Sequence, residues 1–171
     1  DVYSTVTIKK GTVGNQAYTA KWKANGNTPY TVNIYYMDVN GQYKEVPDIT
    51  RTEAGETDTT ATVPSSAYIK NGFSYDDAKS SDSGTITGDG KLQLSLYYAR
   101  NQYDIAFKSY DGSETLYSYK GYYGTEITFQ GNKPVIKDED YIYTFVGWSA
   151  NKNSPHALSS LGTVTENKTF Y

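Results

Sequence analysis

Leu92-Gln-Leu-Ser-Leu-Tyr-Tyr98 alternates apolar and polar residues, so in an extended chain Leu92, Leu94, Leu96 and Tyr98 line one face. The stretch before it, Thr85-Ile-Thr87 and then Gly88-Asp-Gly90, supplies a short strand and a turn, which makes the whole a hairpin ending in a half-buried strand. Working outward, Tyr30-Thr-Val-Asn-Ile-Tyr-Tyr-Met37 has the same period of two, with Val32, Ile34 and Tyr36 together; Asp38-Val-Asn-Gly41 turns the chain into Gln42-Tyr-Lys-Glu-Val46. Tyr103-Asp-Ile-Ala-Phe107 alternates again, placing Ile105 and Phe107 on one face, and Tyr110-Asp-Gly-Ser113 turns it back through 114–119. Pro64 is followed by Ser65 and Ser66, whose hydroxyls can cap a short helical turn.

Setting Tyr103 on Tyr30 aligns the turns of 27–100 with those of 101–171, and Ser83-Gly-Thr-Ile86 then faces Leu161-Gly-Thr-Val164. Repetition at this spacing predicts tandem modules, each closing its own core. Boundaries fall in the polar, Gly- and Pro-containing stretch 23–29, near Asn27, and at Arg100-Asn-Gln102. Ahead of the first boundary, Thr5-Val-Thr-Ile8, a Gly-rich turn and Tyr18-Thr-Ala-Lys-Trp22 read as a third hairpin over 1–26, with Trp22 turned to a core face. A start at Asp1 without Met and an end at Tyr171 within a strand pattern lead us to expect a piece of a larger protein.

The 171 residues carry 37% hydrophobic residues, 19 Tyr, 15 Gly and no Cys, a composition suited to β-structure and turns. Without cysteine there is no disulfide scaffold, thiolate-held zinc or thiol catalysis. A formal net charge of −3 gives no electrostatic reason to bind nucleic acid or an anionic membrane, and no apolar run is long enough for membrane insertion. No cofactor is expected.

Gly124-Thr-Glu-Ile-Thr128, Tyr143-Thr-Phe-Val-Gly-Trp-Ser149 and Gly162-Thr-Val-Thr-Glu-Asn-Lys-Thr-Phe-Tyr171 resemble the internalin-type B repeat, or Listeria-Bacteroides repeat, over about 102–171. The usual Ala-x-Trp ending is missing there, but Tyr18-Thr-Ala-Lys-Trp22 is similar to such an ending, so 1–26 reads either as the tail of a preceding repeat or as strands donated to the middle module. Residues 28–100 resemble the MucBP-like module, through strand order and the Tyr97-Tyr98 ending. These resemblances imply an α+β, β-rich fold of two tandem β-grasp, ubiquitin-like modules, with Tyr143, Phe145 and Trp148 in the core. They also imply an extracellular place, secreted or attached to the cell wall of a Gram-positive bacterium, and work as a stalk or adhesin.

His156 is the sole histidine, and no Gly-x-Ser-x-Gly elbow accompanies the serines near it, which favours a surface loop over a Ser–His dyad. Asp76-Asp77, Asp82 and Asp138-Glu-Asp140 lack EF-hand spacing and read as solvated acids rather than a calcium site. Nothing selects a carboxylate pair for glycoside hydrolysis, nor a partner for Lys9, Lys44 or Lys108 in a Lys–Asn isopeptide bond. The expectation is therefore a protein that is not an enzyme. Tyr35, Tyr43, Tyr117, Tyr119, Tyr122 and Tyr123 fall on strands and turns where the opposite face is polar, and are the candidate contacts for a host or environmental protein or glycan, besides neighbouring modules of the same chain. A dedicated glycan-binding module, for mucin or plant polysaccharide, is the alternative to a stalk.

Overall fold

The computed structural model describes residues 5–137 and 139–171. Every regular element in them is a strand. β1 (Thr28–Tyr36), β2 (Ile49–Gly55), β4 (Phe73–Tyr75) and β6 (Gln93–Arg100) form one sheet in the order β2-β1-β6-β4, while β3 (Thr60–Thr62) pairs with β5 (Ser83–Thr85). In the second half, β7 (Gln102–Lys108) lies between β8 (Thr115–Tyr122) and β11 (Lys168–Phe170), and β9 (Ile136–Lys137) pairs with β10 (Ile142–Tyr143).

Alternation decides what each half buries. β1 and β6 run parallel with Val32 opposite Leu94, Ile34 opposite Leu96 and Tyr36 opposite Tyr98, and all six are buried. Ala61 of β3 and Ile86, which directly follows β5, close over them, with Leu92, Phe73 and Tyr75 packed at the edge. β11 repeats this arrangement beside β7, bringing Phe170 opposite Phe107. The second core gathers Ile105, Phe107, Ile127, Trp148, Val164 and Phe170, with the Phe107 ring 4.8 Å from Trp148, 5.1 Å from Phe129 and 5.2 Å from Phe170. Burying each such side chain contributes about 1.5–3 kcal/mol.

The α+β expectation, and with it the β-grasp assignment, is overturned: no helix occurs among the described residues. Where Ser65 and Ser66 were expected to start a helical turn, the chain makes only a tight turn, with Ala67 N–H donating to the Pro64 carbonyl at 2.9 Å. The stretch between Pro64 and Gly72 is too short to offset helix nucleation. Two of its carbonyls are taken by core phenols, since Tyr98 Oη donates to Ser65 O at 2.9 Å and Tyr36 Oη to Tyr68 O at 2.6 Å.

The expected N-terminal hairpin is also absent, its residues 1–4 lying outside the described residues. No strand forms over 5–27, and Trp22, placed in the core by its alternation, is 92% exposed. A two-stranded ribbon with no third layer has nothing to bury its apolar face against. Tyr143 likewise departs from the core expectation, sitting exposed on the short β9–β10 ribbon, while Phe145 is half-buried against Trp148 at 5.2 Å. Asp138 of the acidic run lies outside the described residues. Among the described residues, no helix is long and apolar enough to cross a membrane.

Candidate functional site

The inward turn of Val32, Ile34 and Tyr36 forces Asn33 and Tyr35 to the other face of β1, and the same rule turns Ser95 and Tyr97 outward on β6. Because the two strands run parallel in register, Tyr35 lies beside Tyr97 and Asn33 beside Ser95. The tyrosine rings stack at 4.4 Å between centroids, 5° from parallel. Tyr43, carried in by the β1–β2 connection, stands edge-on to Tyr97 at 5.0 Å and 84°.

Polar groups hold this trio in place. Tyr43 Oη donates to Asp76 Oδ2 at 2.9 Å, and the Lys79 ammonium lies 5.7 Å from the Tyr43 ring. Asp76 is positioned by its own N–H, which donates to Tyr97 O at 2.8 Å; Ser80 Oγ accepts from Tyr97 N–H at 2.9 Å. Burial, then the bond to the Asp76 carboxylate, pushes the Tyr43 phenol far above its ordinary value, and burial followed by the neighbouring Tyr35 raises Tyr97. Both phenols therefore stay protonated through the physiological range. Beside the rings the face continues as Asn33, whose Oδ1 accepts from Thr50 Oγ1 at 3.1 Å, and Ser95. Half-buried rings next to amides and hydroxyls can stack on an apolar ring face and hydrogen-bond its substituents.

Of the six tyrosines singled out in the sequence, this face brings together Tyr35 and Tyr43. Tyr117 and Tyr119 pack against the second core, with Tyr119 Oη accepting from Thr128 N–H at 3.3 Å. Tyr122 and Tyr123 sit where the two halves meet. Sequence reasoning passed over Tyr97, although its alternation with Leu94, Leu96 and Tyr98 was the signal that places it outward.

That meeting point is tightly built. Only Asn101 separates β6 from β7. Arg100 reaches both halves: its Nε donates to Met37 O at 2.8 Å, its Nη1 to Tyr123 O at 2.7 Å, and its guanidinium covers the Phe73 ring at 4.8 Å. Asn101 N–H donates to Gly72 O at 2.9 Å, and Asn101 O accepts from Tyr123 N–H at 2.8 Å. The Tyr123 ring lies against Gly72, where a Cβ would come within 2.0 Å of Cδ1, and Tyr122 lies similarly against Gly41. Only glycine leaves room for these rings, and both glycines also hold a positive φ of 79°.

A cleft of about 770 Å³ opens in the second half beside Trp148, bordered by Leu116, Val135, Ile136, Phe145 and His156. Ser154 Oγ there contacts the main-chain N and O of His156, at 3.2 and 3.3 Å. Among the described residues, no three of His, Cys, Asp and Glu converge in a way that would hold a metal ion. No family model matches the chain, and no curated protein matches it.

Proposed function

We propose that the chain is a non-catalytic, extracellular segment of a bacterial cell-surface protein that acts as a stalk and carries an adhesive face. The junction carries this reading. A stalk must hold successive units in one orientation, and here Arg100 ties the main chains of both halves together while Tyr122 and Tyr123 seat on Gly41 and Gly72. The surface location rests on the repeat-like motifs of 102–171 and 28–100. Contacts made by one tyrosine face are weak, and an array of such units strengthens them by raising effective concentration.

Molecular alignment tensors of the two halves, from residual dipolar couplings, test the reading. A stalk requires one common tensor for 28–100 and 102–171; two unequal tensors would reduce the pair to independent beads.

The stacked face of Tyr35, Tyr97 and Tyr43 favours a second reading, a dedicated module for mucin or plant glycans. The chain clustered on beads and passed over a glycan array separates the two. Binding abolished by Tyr97→Ala supports the dedicated module, whereas silence across the array leaves the stalk.

A further inference from the structure

Both cores are closed by the same piece of sequence: Gly-Thr, a buried branched aliphatic residue, a polar turn, then a strand parallel to the first strand of its half. In the first half the aliphatic residue is Ile86, whose N–H donates to Thr59 O at 2.9 Å and whose carbonyl accepts from Asp58 N–H at 2.9 Å; Leu94 follows on β6. In the second it is Val164, whose N–H donates to Thr125 O at 2.9 Å and whose carbonyl accepts from Gly124 N–H at 2.8 Å; Phe170 follows on β11. Asn167 precedes β11, its Oδ1 accepting from Asp104 N–H at 2.8 Å.

A third copy stands at Gly11-Thr-Val13, followed by Asn15 and then Tyr18-Thr-Ala-Lys-Trp22. With one residue fewer in its turn, this copy aligns Val13 with Val164, Asn15 with Asn167 and Tyr18 with Phe170. Where Val164 is fully buried and Phe170 is 4% exposed, Val13 is 88% and Tyr18 59% exposed. Tyr18, Ala20 and Trp22 alternate as Leu94, Leu96 and Tyr98 do, and residues 5–27 form no strand. Each half of this chain already has its own closing strand in the place the third copy would fill.

We infer that 11–22 is a closing strand for a further unit built like 101–161, which it completes by pairing parallel to that unit's first strand, with Val13, Tyr18 and Trp22 entering its core. The segment is thus a binding element whose partner is a β-unit lacking its last strand. The inference stands on the threefold repetition of the closing piece and does not depend on the stalk reading.

The test is a chain in which residues 101–161 stand directly ahead of the whole protein, so that the added copy has no closing strand except 11–22. A reference chain carries 101–171 in the same position, and the loop of extra residues before Gly11 costs little. Amide hydrogen exchange is followed at 16–22. In the protein itself these amides exchange as in a free peptide; in the chain headed by 101–161 they slow by about 100-fold or more, and Tyr18→Asp removes that protection while leaving 28–171 protected. In the reference chain they remain fast. Free-peptide rates at 16–22 in the chain headed by 101–161, or protection that survives Tyr18→Asp, overturn the inference.

Discussion

Replacing Gly72 by alanine probes the junction where it is tightest. The new methyl group would stand 2.0 Å from Tyr123 Cδ1, a contact no side chain tolerates, and Gly72 holds φ +79°. A left-handed backbone costs a non-glycine residue roughly 1–2 kcal/mol. Pushing the Tyr123 ring aside also breaks the bond from Asn71 Nδ2 to Tyr123 Oη, 3.0 Å long, worth about 1 kcal/mol. Gly72→Ala should therefore destabilise by about 2–3 kcal/mol. Gly162→Ala is the matched control, because φ there is +74° and nothing lies within 4 Å of the added carbon, so only the backbone cost applies. The gain from stiffening the unfolded chain is common to both substitutions and cancels. Urea unfolding of both variants, with Tyr123→Ala added to each, forms a double-mutant cycle. Tyr123→Ala should relieve part of the Gly72→Ala cost and none of the Gly162→Ala cost. Equal destabilisation by the two glycine variants, with no coupling to Tyr123, would refute the packing argument.

Tyr98→Phe keeps the ring in the first core but leaves Ser65 O without its donor, so urea unfolding should show a loss of about 1–3 kcal/mol. Tyr97→Ala should abolish any bead-borne glycan binding while changing the midpoint of urea unfolding less than Leu94→Ala, which empties a fully buried site and costs about 2–5 kcal/mol. The Asp111 carboxyl is held down to about 2, first by Ser109 Oγ–H and then by the Ser113 backbone N–H and hydroxyl. A carboxyl lowered on folding contributes stability above its unfolded value and loses it as pH falls toward the folded one. The wild type should thus lose stability between about pH 4 and pH 2 in a step that Asp111→Asn lacks, measured by thermal unfolding across that range.

Period-two alternation made β1, β6 and β7 legible, because each buries one face and a slip by one residue would expose it; β8 was read only as a return through 114–119, and its Tyr117 and Tyr119 turn to the second core rather than outward. The same rule failed for 5–22, since alternation reports what a strand would bury and not whether a partner is there to bury it against. The helix expected after Pro64 came from capping residues and from the β-grasp resemblance; nothing in the sequence announced that Tyr36 and Tyr98 would take the Tyr68 and Ser65 carbonyls of that stretch with their hydroxyls. Tyr35 and Tyr43 were legible one at a time as outward tyrosines. Their assembly around Tyr97 was not, because it depends on the parallel register of β1 with β6, two strands distant in sequence. The tyrosines at 122 and 123 read as surface contacts, since seating on Gly41 and Gly72 is a property of the packed junction rather than of either segment.

The central claim, that the junction holds both halves in one orientation, is tested most directly by a distance between them. With no natural cysteine, Thr52→Cys and Ser118→Cys place single spin labels on exposed positions of β2 and β8. Pulsed electron–electron resonance should give one narrow distance distribution, broadened by Arg100→Ala. A broad distribution in the protein with Arg100 intact, unchanged by that substitution, would contradict the account.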